Sequence, residues 1–216
     1  MTKFEVIFKR MTHISVVAVI FLIVGFSFFY LDIKFADHFQ NLQFKKHLPW
    51  LNTLTILGLN VIHLFLLAFI ALVFRYIFQN KLWENRVWFL WLCVFIPGVI
   101  CLFLKILLGR SRPDLWFSQH LYGFYGPHRI SDYWSFPSGH TTSIMGLMFG
   151  FCAILPQYCL LFILTGTAIA LSRVLLVKHY LSDVMFASYL ALIEVGLLYY
   201  WVKDKLQLDP NQKRIL

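Results

Sequence analysis

Long apolar runs separated by short polar breaks dominate the chain: Ile14 to Leu31, Leu54 to Ile77, Val87 to Leu108, Thr141 to Leu155, Tyr158 to Leu176 and Val184 to Trp201. A bilayer core about 30 Å thick needs about 20 apolar helical residues. Lipid also forces every backbone polar group to be satisfied within the segment. The pattern therefore predicts an all-α, polytopic protein with six transmembrane helices and a single domain over residues 1–216. The first run is too long for a signal-peptide core and lacks a small-residue cleavage site, so it is expected to remain attached as the first span. Pro97 predicts a kink in the third. Between the first two runs, Phe35, Phe39 and Leu42 recur at helical spacing beside Lys45 and Lys46. They predict a short interfacial helix within Asp32 to Pro49. Leu107 to Phe136 is the one long connection, rich in Gly, Pro, Trp, Tyr and His, a composition that fits a structured lid over a site.

Composition sharpens this picture. Hydrophobic residues make up 60% of the chain and charged ones 13%, with a mean hydropathy of +0.72, which excludes an ordinary soluble domain. The net charge of +9 raises nucleic acid as a partner. The Lys and Arg residues, however, sit at the edges of apolar runs and form no basic arm, so a membrane surface accounts for them and nucleic acid does not. Lys3, Lys9, Arg10, Lys81, Arg86, Lys203, Lys205, Lys213 and Arg214 gather at what an even number of spans makes one side, so both termini are expected in the cytoplasm. Cys93, Cys101, Cys152 and Cys159 all lie within apolar segments without zinc-type spacing and are read as packing residues.

Three stretches carry chemistry, and on this topology all three reach the extracytoplasmic face. Ser172 to Asp183 places Arg173, His179 and Asp183 between two apolar runs, where ionisable groups are expensive and suggest function. If the segment after Lys178 is helical, His179 and Asp183 share a face, and the carboxylate can fix the imidazole tautomer. Lys105 and Arg112 lie two turns apart if the third helix persists that far, and two cations aimed at one place make an anion site; singly, each reads as a snorkelling cation at a span end. Pro137-Ser138-Gly139-His140 precedes the fourth span, where free N–H groups and the helix dipole favour an oxyanion; alone it is a plain turn and cap.

Together, Lys-x6-Arg-Pro at 105 to 113, Pro-Ser-Gly-His at 137 to 140 and Ser-Arg-x5-His-x3-Asp at 172 to 183 resemble, in order and without substitution, the three-part signature of the type-2 phosphatidic acid phosphatase superfamily. The resemblance covers about Leu54 to Trp201. It implies an extracytoplasmic active site in which His179 attacks phosphorus to form a phosphohistidine and Asp183 holds its ring. It implies too that His140 protonates the leaving alcohol and later activates water. Lys105, Arg112, Arg173, Ser138 and the Gly139 amide would bind the phosphoryl oxygens. These stretches hold no acidic cluster suited to magnesium or zinc, so no metal and no cofactor are expected.

The resemblance thus implies a lipid phosphate or diphosphate phosphatase of a bacterial inner membrane. Undecaprenyl diphosphate, a lipid A phosphate, phosphatidylglycerol phosphate and phosphatidic acid are the candidate substrates. Two other readings stand beside it: a lipid phosphotransferase using the same site, and a non-catalytic lipid-binding or lipid-moving protein. Glu194, His63 and Asn60 lie within spans and read as interhelical hydrogen-bonding groups or as a polar path for a headgroup. His120, His128, Arg129 and the aromatics of the long connection read as headgroup contacts or interfacial anchors.

Overall fold

A computed structural model describes residues 2–206 and 208, and among these it is helical apart from connections. The helices are α1 Lys3–Met11, α2 Ile14–Phe26, α3 Asp32–Leu42, α4 Phe44–His47, α5 Trp50–Ile56, α6 Asn60–Tyr76 and α7 Lys81–Leu108. They are followed by α8 Pro113–Gln119, α9 Gly139–Ile154, α10 Cys159–Leu175 and α11 Leu181–Val202.

Four helical stretches are long and apolar enough to cross a membrane: Ile14–Leu42, Lys81–Leu108, Pro156–Leu175 and Leu181–Val202. The pair α5 and α6 makes a fifth if it counts as one span, bent by 52° at Leu57 to Leu59. The expected unbroken second run is therefore corrected. Leucines and phenylalanines that a soluble monomer would bury, such as Leu22, Phe29, Phe65, Phe69, Leu160 and Leu161, stand exposed. An apolar surface of this extent marks a lipid-facing bundle.

The helix expected as the fourth span occupies a special place. At 16 residues, α9 is about 24 Å long, less than the hydrocarbon thickness. It has no need to meet lipid along its length, because α6, α7, α10 and α11 pack around it and nearly every residue from Thr141 to Ile154 is buried. Its fit against α7 depends on Gly146. A Cβ there would strike the carbonyl oxygen of Cys93, the acceptor that Pro97, having no N–H, leaves without its helical donor. The ring of Pro97 lies against the same place, and α7 runs through it as one helix of 28 residues.

Asp32–Leu42 is not a separate interfacial helix. It continues α2 through a π turn at Ser27–Leu31, giving one helical stretch of 29 residues. A buried ion pair, described below, makes this continuity tolerable by taking up Asp32. All four cysteines are buried and free, as packing residues.

Glu5 of α1 and Lys203 beyond α11 lie 3.4 Å apart, and the Asn85 amide of α7 donates to the Leu206 carbonyl at 3.4 Å. The N-terminal helix, the start of α7 and the end of α11 thus share one end of the bundle. Lys213 and Arg214 lie outside the described residues.

Candidate active site

At the opposite end, α7 stops at Gly109, whose φ of +53° suits glycine. A Cβ at this position would also collide with the Gly126 carbonyl oxygen. Arg112 is therefore not two helical turns beyond Lys105 on one continuous helix. It sits in extended backbone as the residue before α8, with Pro113 in the first helical position. The long connection positions it: its N–H donates to the Asp132 carbonyl at 2.9 Å and its Nε to the Ser131 carbonyl at 2.9 Å. Lys105 Nζ donates to the Trp134 carbonyl at 2.6 Å. The connection thus holds both cations.

The third stretch is also built differently from the simple helical expectation. His179 precedes α11, which begins at Leu181, so the shared helical face does not exist. A tight turn brings the imidazole in instead. The N–H groups of Lys178 and His179 donate back to the Arg173 carbonyl at 2.9 and 3.3 Å, and Val177 takes a φ of +54° to allow it. A β-branched residue there is strained by about 1 kcal/mol or more. His179 Nδ1 comes to rest 3.5 Å from Asp183 Oδ2, beyond good hydrogen-bond length. Nε2 is left for other chemistry. Burial pushes the pKa of His179 well below the usual 6.5; Lys105 and Arg112 push the same way, and Asp183 opposes them. These influences favour the neutral ring, the form a nucleophile requires.

Ser138 caps α9 by position without a side-chain cap bond, and its hydroxyl accepts from Thr141 Oγ1 at 3.0 Å. Its N–H reaches the Asp183 carbonyl at 3.4 Å, tying the start of α9 to α11. The first-turn N–H groups of α9 have no intrahelical acceptor and carry the positive end of the helix dipole. His140 stands in this turn, with Gly58 so close that a Cβ there would lie 3.1 Å from the His140 Cβ. Arg173, buried on α10, donates to Thr55 Oγ1 at 2.7 Å. Lys105, Arg112 and Arg173 lie near enough for their charges to act on His140. All eight residues singled out in the sequence thus gather at this end.

A cavity of about 250 Å³ runs from Lys105 and His140 between α6 and α7, past Gly58, Leu59, Asn60 and Gly98. It is mostly apolar, as a groove for a lipid tail needs to be. A larger cavity of about 330 Å³ between α2, α10 and α11 contains none of these ionisable groups. Among the described residues no three His, Cys, Asp or Glu side chains cluster as a metal site.

Asp183 is held far more elaborately than a simple His–Asp pair requires. Its Oδ2 accepts from Ser135 Oγ at 2.6 Å and from the Tyr180 N–H at 2.9 Å, and its Oδ1 accepts from Arg110. Arg110 is fully buried, and its other terminal nitrogen donates to Asp32 Oδ2 at 2.7 Å. The guanidinium carbon lies 4.7 Å from the Tyr180 ring centre and 4.8 Å from that of Phe28. Sequence reasoning gave neither Arg110 nor Asp32 a role. The signal was present: both are ionisable residues at the ends of apolar runs, the test that singled out Arg173 and Asp183.

The structure therefore defines a class, a helical membrane bundle with a buried His–Asp–Arg site at one end. The family model described as "PAP2 superfamily" matches residues 86–207, and the chain belongs to that superfamily. It is similar to two curated proteins named lipid A 1-phosphatase, from Rhizobium johnstonii (32% identical over 97 residues, 45% of this chain and 40% of that one) and Rhizobium etli (31% over 97 residues, 45% and 42%). The matched stretch is thus about two-fifths of each relative's length. No solved structure matches.

Proposed function

We propose that the protein hydrolyses the phosphate or diphosphate headgroup of a membrane lipid through a phosphohistidine, without a metal. The observation that carries this reading is the gathering of His179, a second histidine and three cations around the N-terminus of α9. Nε2 of His179 attacks phosphorus as the bond to the lipid oxygen breaks, and His140 delivers a proton to that oxygen. Water, deprotonated by His140, then attacks phosphorus. The P–N bond breaks, inorganic phosphate leaves and His179 is restored. Charge on the equatorial oxygens is met by Lys105, Arg112, Arg173, Ser138 and the Gly139 N–H, so positioning and fixed charge supply most of the catalysis. Asp183 steadies the imidazolium.

The names of the two relatives make a lipid A phosphate the first substrate to test, beside undecaprenyl diphosphate, phosphatidylglycerol phosphate and phosphatidic acid. Purified protein in detergent is expected to release phosphate from at least one of these, to prefer it over glycerol phosphate, and to retain the activity in EDTA. Release from none, or activity that EDTA abolishes and magnesium or zinc restores, would contradict this reading.

We infer that the site end lies outside the cytoplasm and the Lys81 end inside, a reading that the basic residues at the Lys81 end support. In intact cells an impermeant thiol reagent is expected to label Asp132→Cys but not Lys81→Cys; the reverse pattern would invert the orientation.

A further inference from the structure

The chain between Arg110 and Asp183 poses an electrostatic problem that the proposed reaction makes acute. When Nε2 attacks phosphorus, the imidazole becomes cationic, and Asp183 is useful only while it presents negative charge to Nδ1. Arg110 is buried against that same carboxylate. An Arg–carboxylate pair taken alone is neutral and would offer the imidazolium little more than a dipole. Such a pair is also shielded from bulk solvent, since both side chains are fully buried.

Asp32 alters this balance. It sits on the other terminal nitrogen of the guanidinium at 2.7 Å and is likewise fully buried. It has anchors besides Arg110: its Oδ1 accepts from Ser27 Oγ at 3.1 Å and from the Ser182 N–H at 2.9 Å, and its Oδ2 from Ser182 Oγ. One cation between two carboxylates leaves the cluster with a net negative charge. Ser182 lies next to Asp183, so the second carboxylate is fastened to the first turn of α11, the turn that carries the His179 partner. Asp32 lies outside residues 86–207, so it reaches the site from beyond the stretch that the family model matches.

We propose that Asp32 is a positioning residue of this site, whose charge offsets Arg110 so that the cluster behind His179 keeps the net negative charge that stabilises its imidazolium. This rests on the phosphohistidine reading. The groups facing His179 fall into two sets. Lys105, Arg112 and Arg173 stand on the phosphate side with His140. On the other side Asp183 adjoins the ring, Arg110 adjoins Asp183 and Asp32 adjoins Arg110, with the Tyr122 and Tyr180 hydroxyls near Arg110, their ionisation pushed far above the ordinary range by burial. Asp32 thus supplies the second negative charge in a field otherwise dominated by cations.

Charge, rather than architecture, is tested by a compensating pair. Asp32→Asn is expected to lower kcat on the preferred lipid phosphate by roughly tenfold or more, as one buried charge at this range allows, while KM changes less than about twofold. Adding Arg110→Gln removes the surplus cation, leaves an amide donor for Asp183, and is expected to recover several-fold of the lost kcat. A purely structural role predicts the opposite, with the double variant worse than the single. Wild-type kcat in Asp32→Asn, or a further fall in the double variant, overturns the proposal. The 15N resonances of His179, assigned by their absence in His179→Ala, provide a readout independent of turnover. The titration should move down by roughly one unit in Asp32→Asn and return in the double variant; an unmoved titration overturns the charge role. If the wild type hydrolyses no lipid in the panel, the reaction reading fails, and this titration still decides the role of Asp32.

Discussion

Replacing His179 with alanine is expected to reduce lipid phosphate hydrolysis by roughly 10⁴-fold or more, with the protein still folded in detergent. The size follows from what the substitution removes. The cations and the α9 amides remain to bind the phosphate, but the covalent route is gone, and water must attack in a site shaped for an imidazole. Folding should survive because Nδ1 makes no hydrogen bond, and the turn is held by its main chain on Arg173. His140→Ala should behave differently. Its loss, about 10²- to 10⁴-fold on a lipid substrate, should shrink on an aryl phosphate whose leaving oxygen needs no proton. Near-normal turnover by His179→Ala would remove the nucleophile from the account.

The largest loss of stability is expected from Arg110→Ala. Asp32 and Asp183 are both fully buried, and both depend on this guanidinium. Removing it leaves two carboxylates unpaired in a site shielded from bulk solvent, and such a break costs about 3–5 kcal/mol. Packing is lost as well, because the aromatic rings of Phe28, Tyr122, Phe124, Phe136 and Tyr180 surround the same cation. Lys178→Ala is the contrasting case. Its pair with Asp114 is 3.5 Å long and partly exposed, so about 0–1 kcal/mol is at stake. Denaturant unfolding in a mild detergent should separate the two clearly; equal, small effects would mean that the buried cluster does not hold α3 and α11 together.

Much of this architecture was legible in the sequence because it is local. Apolar runs report helices in lipid, and the eight residues named from the three signature stretches gather at one end of the bundle, where Arg110 and Asp32 join them. The misread features depend on partners remote in sequence. Asp32 appeared to end a span and begin a surface helix because an acid in an apolar stretch is costly, and nothing nearby repays that cost. The residues that do are Arg110 and Ser182, 78 and 150 positions away. The shared helical face of His179 and Asp183 failed for a related reason. A spacing of four fits a helix, but Val177 in the left-handed region and the bonds back to Arg173 place His179 before the helix begins. For Lys105 and Arg112, the left-handed turn at Gly109 and the carbonyls of Ser131, Asp132 and Trp134 do what a longer helix was expected to do. No periodicity reports such a turn.

The central claim, a covalent intermediate on His179, can be tested directly. Protein mixed with a long-chain lipid carrying labelled phosphate is quenched in alkali within a single turnover, and the modified peptide is identified. The account predicts a phosphoryl group stable to base and labile to acid on the peptide containing His179, absent from His179→Ala and accumulating in His140→Ala with an aryl phosphate. Label on His140, label that persists in His179→Ala, or phosphate release with no labelled protein at any time would contradict it.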